Sequence, residues 1–267
     1  MGETVVNNGE ATLPVTRSGA GQPIVFFNGG GATQISWKKV IQQLHGHYET
    51  VTFDFRGHGK ASQATDYSFE AFLSDAETVM RTIDVAKPIV VGWSLGADVA
   101  AEYAARHNGK VAGLVIIDGA VPLPEPLVED AVGMRRSLNS PIMKLSMLLA
   151  RLTPYGYALN GDAFADITLE LDGRRQSALI DVYGSVDCPV AVLLATKSAG
   201  EKGAHAARNN SLRHAGAELL AGRYPSISIQ WIDGTHSLPF RHPAEIAKTI
   251  DEIAGQLSAK QIPGAPT

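Results

Sequence analysis

The serine in "GWSLGADVA" (92–100) sits between two glycines at a junction. An apolar run, "PIVVG", leads into it and an alanine-rich helical pattern leads out. A buried strand therefore turns sharply into a helix with a hydroxyl, Ser94, at the apex. A surface turn has no need of that arrangement, whereas a nucleophile does. Gly92 and Gly96 would keep Cβ atoms away from the neighbouring strand and helix, and a strained apex would expose Oγ at the carboxyl edge of a sheet. The Leu95 N–H, at the helix N-terminus, would point to the same spot, where partial positive charge favours an oxyanion. Such a constellation suits acyl transfer, which needs a second converging N–H. A second glycine-rich turn, "FFNGGGAT", also closes a strand. A third segment, "DGTHSLPFRHP", places His236 after a short strand and a tight Asp-Gly turn.

The elements around these segments alternate. Strands are expected at "PIVFF", "YETVTF", "KPIVVG", "KVAGLVII", "CPVAVLLA" and "SISIQWI". Helices are expected at "SWKKVIQQL", at "SFEAFLSDAETVMRTI", behind Ser94, around 203–221 and after Pro243. This rhythm predicts an α/β fold with a mainly parallel sheet covered on both faces. It breaks between 121 and 187, where "VPLPEP" departs from the sheet and "SPIMKLSMLLARL" gives Ile142, Leu145, Leu148, Leu149 and Leu152 a wide apolar face. The expected division is a core of 1–120 and 188–257, an inserted helical cap at 121–187, and a disordered polar tail at 258–267.

With 45% hydrophobic residues in 267, the chain can bury a large core. A net charge of −4 offers no bulk electrostatic case for nucleic acid or an anionic membrane, so the expected partner is a small molecule. Cys188, the single cysteine, rules out an internal disulfide framework and fits a reducing compartment. The N-terminus lacks a signal-peptide profile, Val6 breaks the myristoylation pattern, and no apolar run is long enough to span a bilayer. A cytoplasmic location is expected. No Gly-Lys-Ser/Thr or dinucleotide fingerprint accompanies the glycine-rich turn, and no histidine falls in a metal-ligand pattern, so neither a metal nor an organic cofactor is expected.

Together, the Gly-Trp-Ser-Leu-Gly elbow, the Asn28-Gly29-Gly30-Gly31 turn and the late His236 resemble the α/β-hydrolase family over nearly the whole length. The resemblance implies a Ser-acid-His order along the chain, with Ser94 as nucleophile and His236, rather than His242, as general base. It places the second oxyanion donor at the Gly30 N–H, although Asn28 stands where the family usually has His. It gives His58, in "DFRGHG", a structural role beside the site. Asp54 and Arg56 are read as fixing that loop, and Asp98 as complementing a helix dipole.

The acid is less direct. Many relatives carry it after the strand that follows the cap, but "PVAVLLATKSAGEKG" contains no Asp, and Glu201 is the nearest carboxylate. Asp118, at the end of "GLVIID", is the assigned acid. Haloalkane dehalogenases take theirs from a similar position, and a carboxylate ending an apolar strand needs a partner if buried.

The implied function is a serine hydrolase acting on a carboxylic ester, thioester or lactone. Trp93, Met143 and Met147 are candidates to line an apolar pocket. The same scaffold also serves carbon–carbon bond hydrolases, cofactor-free lyases and oxygenases, and ligand-binding receptors.

Overall fold

The computed structural model describes residues 2–151, 153 and 156–260. Residues 261–267 of the expected tail, and Leu152, lie outside the described residues.

Eight strands form one sheet in the order β1-β2-β4-β3-β5-β6-β7-β8. They are β1 (Gly2–Asn8), β2 (Ala11–Gly19), β3 (Gln22–Phe27), β4 (Tyr48–Phe53), β5 (Ile89–Trp93), β6 (Gly113–Ile117), β7 (Val190–Ala195) and β8 (Ser228–Ile232). From β4 to β8 all pairs are parallel, while β2 joins β1 and β4 antiparallel.

The central strands are near-continuous apolar runs because helices cover both faces. Successive side chains divide between two cores. Val25, Phe27, Val90, Leu114 and Ile116 enter one. It is closed by α2 (Phe69–Ile83), α3 (Leu95–Arg106) and residues of α6 (Gly161–Ser177) and α7 (Leu179–Gly184). Ile24, Phe26, Ile89, Val91, Val115 and Ile117 enter the other, against Trp37 and Ile246, Ile250 and Ile253 of α10 (Pro243–Lys260). Local sequence fixes the helix starts. The Ser68 hydroxyl accepts from the Ala71 N–H to begin α2, and Pro243 opens α10, where its missing N–H costs nothing.

The expected strands and most helices are present, with three differences. The hairpin β1–β2 had no counterpart in the expectations, although Asn8-Gly9 supplies a turn with Gly9 at φ 59° and Ala11, Leu13 and Val15 alternate inward. The "SWKKVIQQL" helix is short, a 3-10 turn over Gln34–Trp37 followed by α1 (Lys38–Ile41). Finally, α10 runs to Lys260, through the start of the expected tail.

Between β6 and β7 lie α4 (Ala131–Leu138), α5 (Pro141–Ala150), α6 and α7. The sequence suggested that Ile142, Leu145, Leu148 and Leu149 face inward from α5. They are exposed by 83%, 57%, 56% and 54%, and the inward side carries half-buried Met143 and buried Met147.

A buried ion pair ties this insertion to the core. Arg175 of α6 donates to both carboxylate oxygens of Asp98 on α3, at 2.9 and 2.5 Å. Asp98 thus has a specific cation as partner as well as the helix dipole. Removing one member strands a buried charge, which costs about 3–5 kcal/mol. Arg175→Met is expected to lower Tm by roughly 10 °C, at about 2–4 °C per kcal/mol for a chain of this size. Thermal denaturation checks this, and the Asp98→Asn/Arg175→Met pair should recover part of the loss. An unchanged Tm in the single variant contradicts it.

Candidate active site

Ser94 occupies the bend between β5 and α3 with φ 55° and ψ −120°, a conformation that L residues rarely adopt. Glycines make it possible. A Cβ on Gly92 would overlap the Gly96 carbonyl, and one on Gly96 would overlap the Phe27 carbonyl. Asp118 and Ala120, just beyond β6, also have positive φ, 42° and 45°. Each such position costs on the order of 1–3 kcal/mol, held by its surroundings. Here the Ser94 N–H donates to the Ile117 carbonyl at 3.0 Å and the Asp118 N–H to the Leu193 carbonyl at 2.8 Å.

These bends bring three distant residues together. His236 Nε2 is 2.9 Å from Ser94 Oγ, and His236 Nδ1 is 2.6 Å from Asp118 Oδ2. The Asp118 side chain is buried while that of His236 is 38% exposed, so the imidazole is supported from behind and open in front. Asp118 Oδ1 accepts from the Ala195 N–H at 3.0 Å and Oδ2 from the Ser198 hydroxyl at 2.7 Å. Burial pushes the Asp118 carboxyl up. The His236 hydrogen bond and charge, the Arg213 charge and the Ser198 hydroxyl outweigh burial and hold it below the usual carboxylate range. It is ionised at neutral pH. A neutral His236 therefore keeps its proton on Nδ1, facing Asp118, and leaves Nε2 free to accept from Ser94.

Glu201 is elsewhere, 60% exposed and paired with Lys197 at 3.6 Å. His242 pairs with Glu245 at the start of α10. Trp93 is buried, and its indole N–H donates to the His236 carbonyl at 3.0 Å, which holds the histidine loop in place.

Gly30 approaches Leu95, with any Cβ on it 3.8 Å from the leucine side chain. Among the described residues, neither the Gly30 nor the Leu95 N–H is taken by a protein acceptor. The glycine-rich turn is fixed from several sides. Buried Asn28 donates to the Phe53 carbonyl at 2.6 Å and accepts from the Trp37 indole at 2.7 Å, so it serves as a staple in place of the usual His. The Gly31 N–H donates to His58 Nε2 at 2.9 Å, and His58 Nδ1 lies 2.9 Å from the Arg56 carbonyl. Tyr157 of the insertion covers Gly31. The following loop is held by Arg56, which donates to both oxygens of buried Asp75 at 2.8 and 2.7 Å. Asp54 anchors it from the other side by accepting from the Gln34 and Lys60 N–H groups.

Burial lowers the His58 pKa from 6.5 to about 4. His58 must also stay neutral to accept from Gly31. In the unfolded chain it takes a proton below about 6.5 and in the fold only below about 4, so stability is complete above 6.5 and lost as pH falls through that window. The expected loss from this group alone is about 3 kcal/mol. Urea denaturation across this range should show His58→Gln with a shallower decline than the wild type, and parallel declines contradict the assignment.

Among the described residues, no group of three or more His, Cys, Asp or Glu side chains is placed to hold a metal. No described helix is long and apolar enough to cross a membrane. A cavity of about 680 Å³ lies away from Ser94, beside polar residues of β2 and β4 and Lys38, Lys60 and Arg151.

A mainly parallel eight-stranded sheet, with a strained serine after β5 and helices inserted after β6, is the α/β-hydrolase fold. The family model described as "alpha/beta hydrolase fold" matches residues 22–140. A "putative non-heme chloroperoxidase" from Synechocystis sp. is 30% identical over 146 residues, 53% of each chain. The chain thus spans about half the length of the curated relatives it matches. Among solved structures, a bromoperoxidase from Bacillus anthracis superposes with a TM-score of 0.76 at 15% identity, covering 95% of this chain and 100% of the other. A putative aryl esterase from Burkholderia cenocepacia superposes at 0.65 with 20% identity, covering 96% and 99%.

Proposed function

We propose that this protein is a serine hydrolase that cleaves a carboxylic ester, thioester or lactone of a small, largely apolar substrate. The observation that carries this is the Ser94–His236–Asp118 chain of contacts, 2.9 and 2.6 Å long. Ser94 Oγ attacks the acyl carbon as His236 Nε2 takes its proton. Asp118 fixes the imidazole and stabilises the imidazolium. The N–H groups of Gly30 and Leu95 receive the oxyanion, assisted by the N-terminal end of α3. His236 then protonates the leaving group, and water activated by the same histidine releases the acid and regenerates Ser94. Met143 and Met147 supply an adaptable apolar wall.

The curated relative named as a putative non-heme chloroperoxidase favours a second use of the same intermediate. Hydrogen peroxide in place of water would take the acyl group from Ser94 and leave as a peracid. Steady-state hydrolysis of a p-nitrophenyl ester series, with and without peroxide, tests both. Turnover of short acyl chains is expected, with product partitioning to peracid as peroxide rises. No turnover of any ester, thioester or lactone by folded protein contradicts the hydrolase reading.

A further inference from the structure

Helix α8 (Ala204–Arg223) turns one face inward, burying Asn209 and Gly216. Asn209, Asn210, Arg213 and Gly216 share it at helical spacing. At one end, Asn209 Nδ2 donates to the Leu127 carbonyl at 3.3 Å. Asn210 accepts from the Ala199 N–H at 2.9 Å and donates to the Gly200 carbonyl at 3.0 Å, beside Ser198. At the other end, Gly216 lies against the Pro122 carbonyl and Val121. Arg213 stands between these anchors on the same face, and its charge reaches Asp118, which holds His236 and Ser198.

Among the described residues its guanidinium takes no direct partner, although its charge reaches Asp118. Nε is buried without a hydrogen-bond partner, and among the described residues Arg213 makes no ion pair. The carboxylates whose charges reach it are Asp118, Asp98 and Asp172. Each already has its own partners. Asp118 holds His236, Ala195 and Ser198, Asp98 holds Arg175, and Asp172 accepts from the N–H groups of Leu127 and Val128 at 2.9 and 3.1 Å. Arg175 is spent on Asp98, while among the described residues Arg213 has no ion-pair partner. The side chain is half-buried with only Nε shut off from solvent, and the planar fork of donors in a guanidinium matches a carboxylate.

The geometry points to Arg213 as the receptor for a carboxylate carried by the substrate, which makes the substrate class anionic half-esters or carboxylated lactones and thioesters. The inference rests on the serine-hydrolase reading and narrows it, with an apolar acyl chain ending in a carboxylate. Arg213 would then be a specificity-determining residue.

The test compares kcat/KM for p-nitrophenyl hydrogen glutarate with that for p-nitrophenyl hexanoate, similar in length but neutral. In Arg213→Gln the ratio of the two is expected to fall at least tenfold, mainly through KM, with partial recovery in Arg213→Lys. An unchanged ratio overturns the proposal, because Arg213 would then act only through Asp118 or the fold. Calorimetric titration of Ser94→Ala protein with glutarate separates the two readings, since it needs no turnover. Binding that weakens at least tenfold when Arg213→Gln is added supports the receptor even if no ester is hydrolysed. Absence of glutarate binding with Arg213 intact overturns it. Should the Arg213→Gln protein not fold, Arg213→Lys carries the same comparisons.

Discussion

Ser94→Ala is expected to reduce kcat on a p-nitrophenyl ester by about 10⁴-fold or more, with KM within a few-fold. The methyl group fits the bend, since the hydroxyl makes no capping bond to α3. The fold should persist, as measured by an unchanged Tm. What disappears is the covalent route. The Gly30 and Leu95 N–H groups would still polarise a bound carbonyl, so a residual rate above the uncatalysed one should remain. A variant keeping even a tenth of wild-type kcat would place the nucleophile elsewhere.

Asp118→Asn carries the second large effect, a loss of about 10⁴-fold in kcat. The amide can keep the Ala195 N–H as donor through its oxygen, so the bend after β6 should survive. Its NH₂, however, now faces His236 Nδ1 and donates to it. The imidazole proton moves to Nε2, where it points at Ser94 and cannot accept from it. Glu201→Gln is the matched control. Glu201 is exposed and engages Lys197, so its loss is expected to change kcat less than about twofold. Steady-state kinetics on the two variants decides which carboxylate is the acid, and a larger effect at Glu201 than at Asp118 would refute the assignment.

Much of this site is legible in one dimension. Ser94 is announced by the glycines that its bend requires, and His236 by the Asp-Gly turn after a short strand. Asp118 is legible because a carboxylate cannot end an apolar strand in a core without a partner. What pattern reading misses are the groups defined only by proximity across the fold. Ser198, Tyr157, Arg175 and Arg213 lie far along the chain from the residues they serve, and nothing in their immediate neighbours marks them. The β1–β2 hairpin was detectable from Asn8-Gly9 and the alternation of Ala11, Leu13 and Val15, but its strands carry Pro14 and many polar residues, as suits a sheet edge. Helix α5 shows the opposite error. Its widest apolar stripe is exposed, and the narrower Met143–Met147 side is turned inward. Hydrophobic periodicity finds that a helix is two-sided, but cannot say which side faces the core when both are apolar.

One hydroxyl, activated by an imidazole 142 residues further along the chain, or roughly 470 Å of extended backbone, is expected to form a covalent acyl-enzyme. Intact-mass and peptide-mapping spectrometry after treatment with a fluorophosphonate tests it most directly. One adduct per chain is expected, on the peptide containing Ser94, formed far more slowly in His236→Ala. No adduct on folded protein, or an adduct on any other residue, would contradict it.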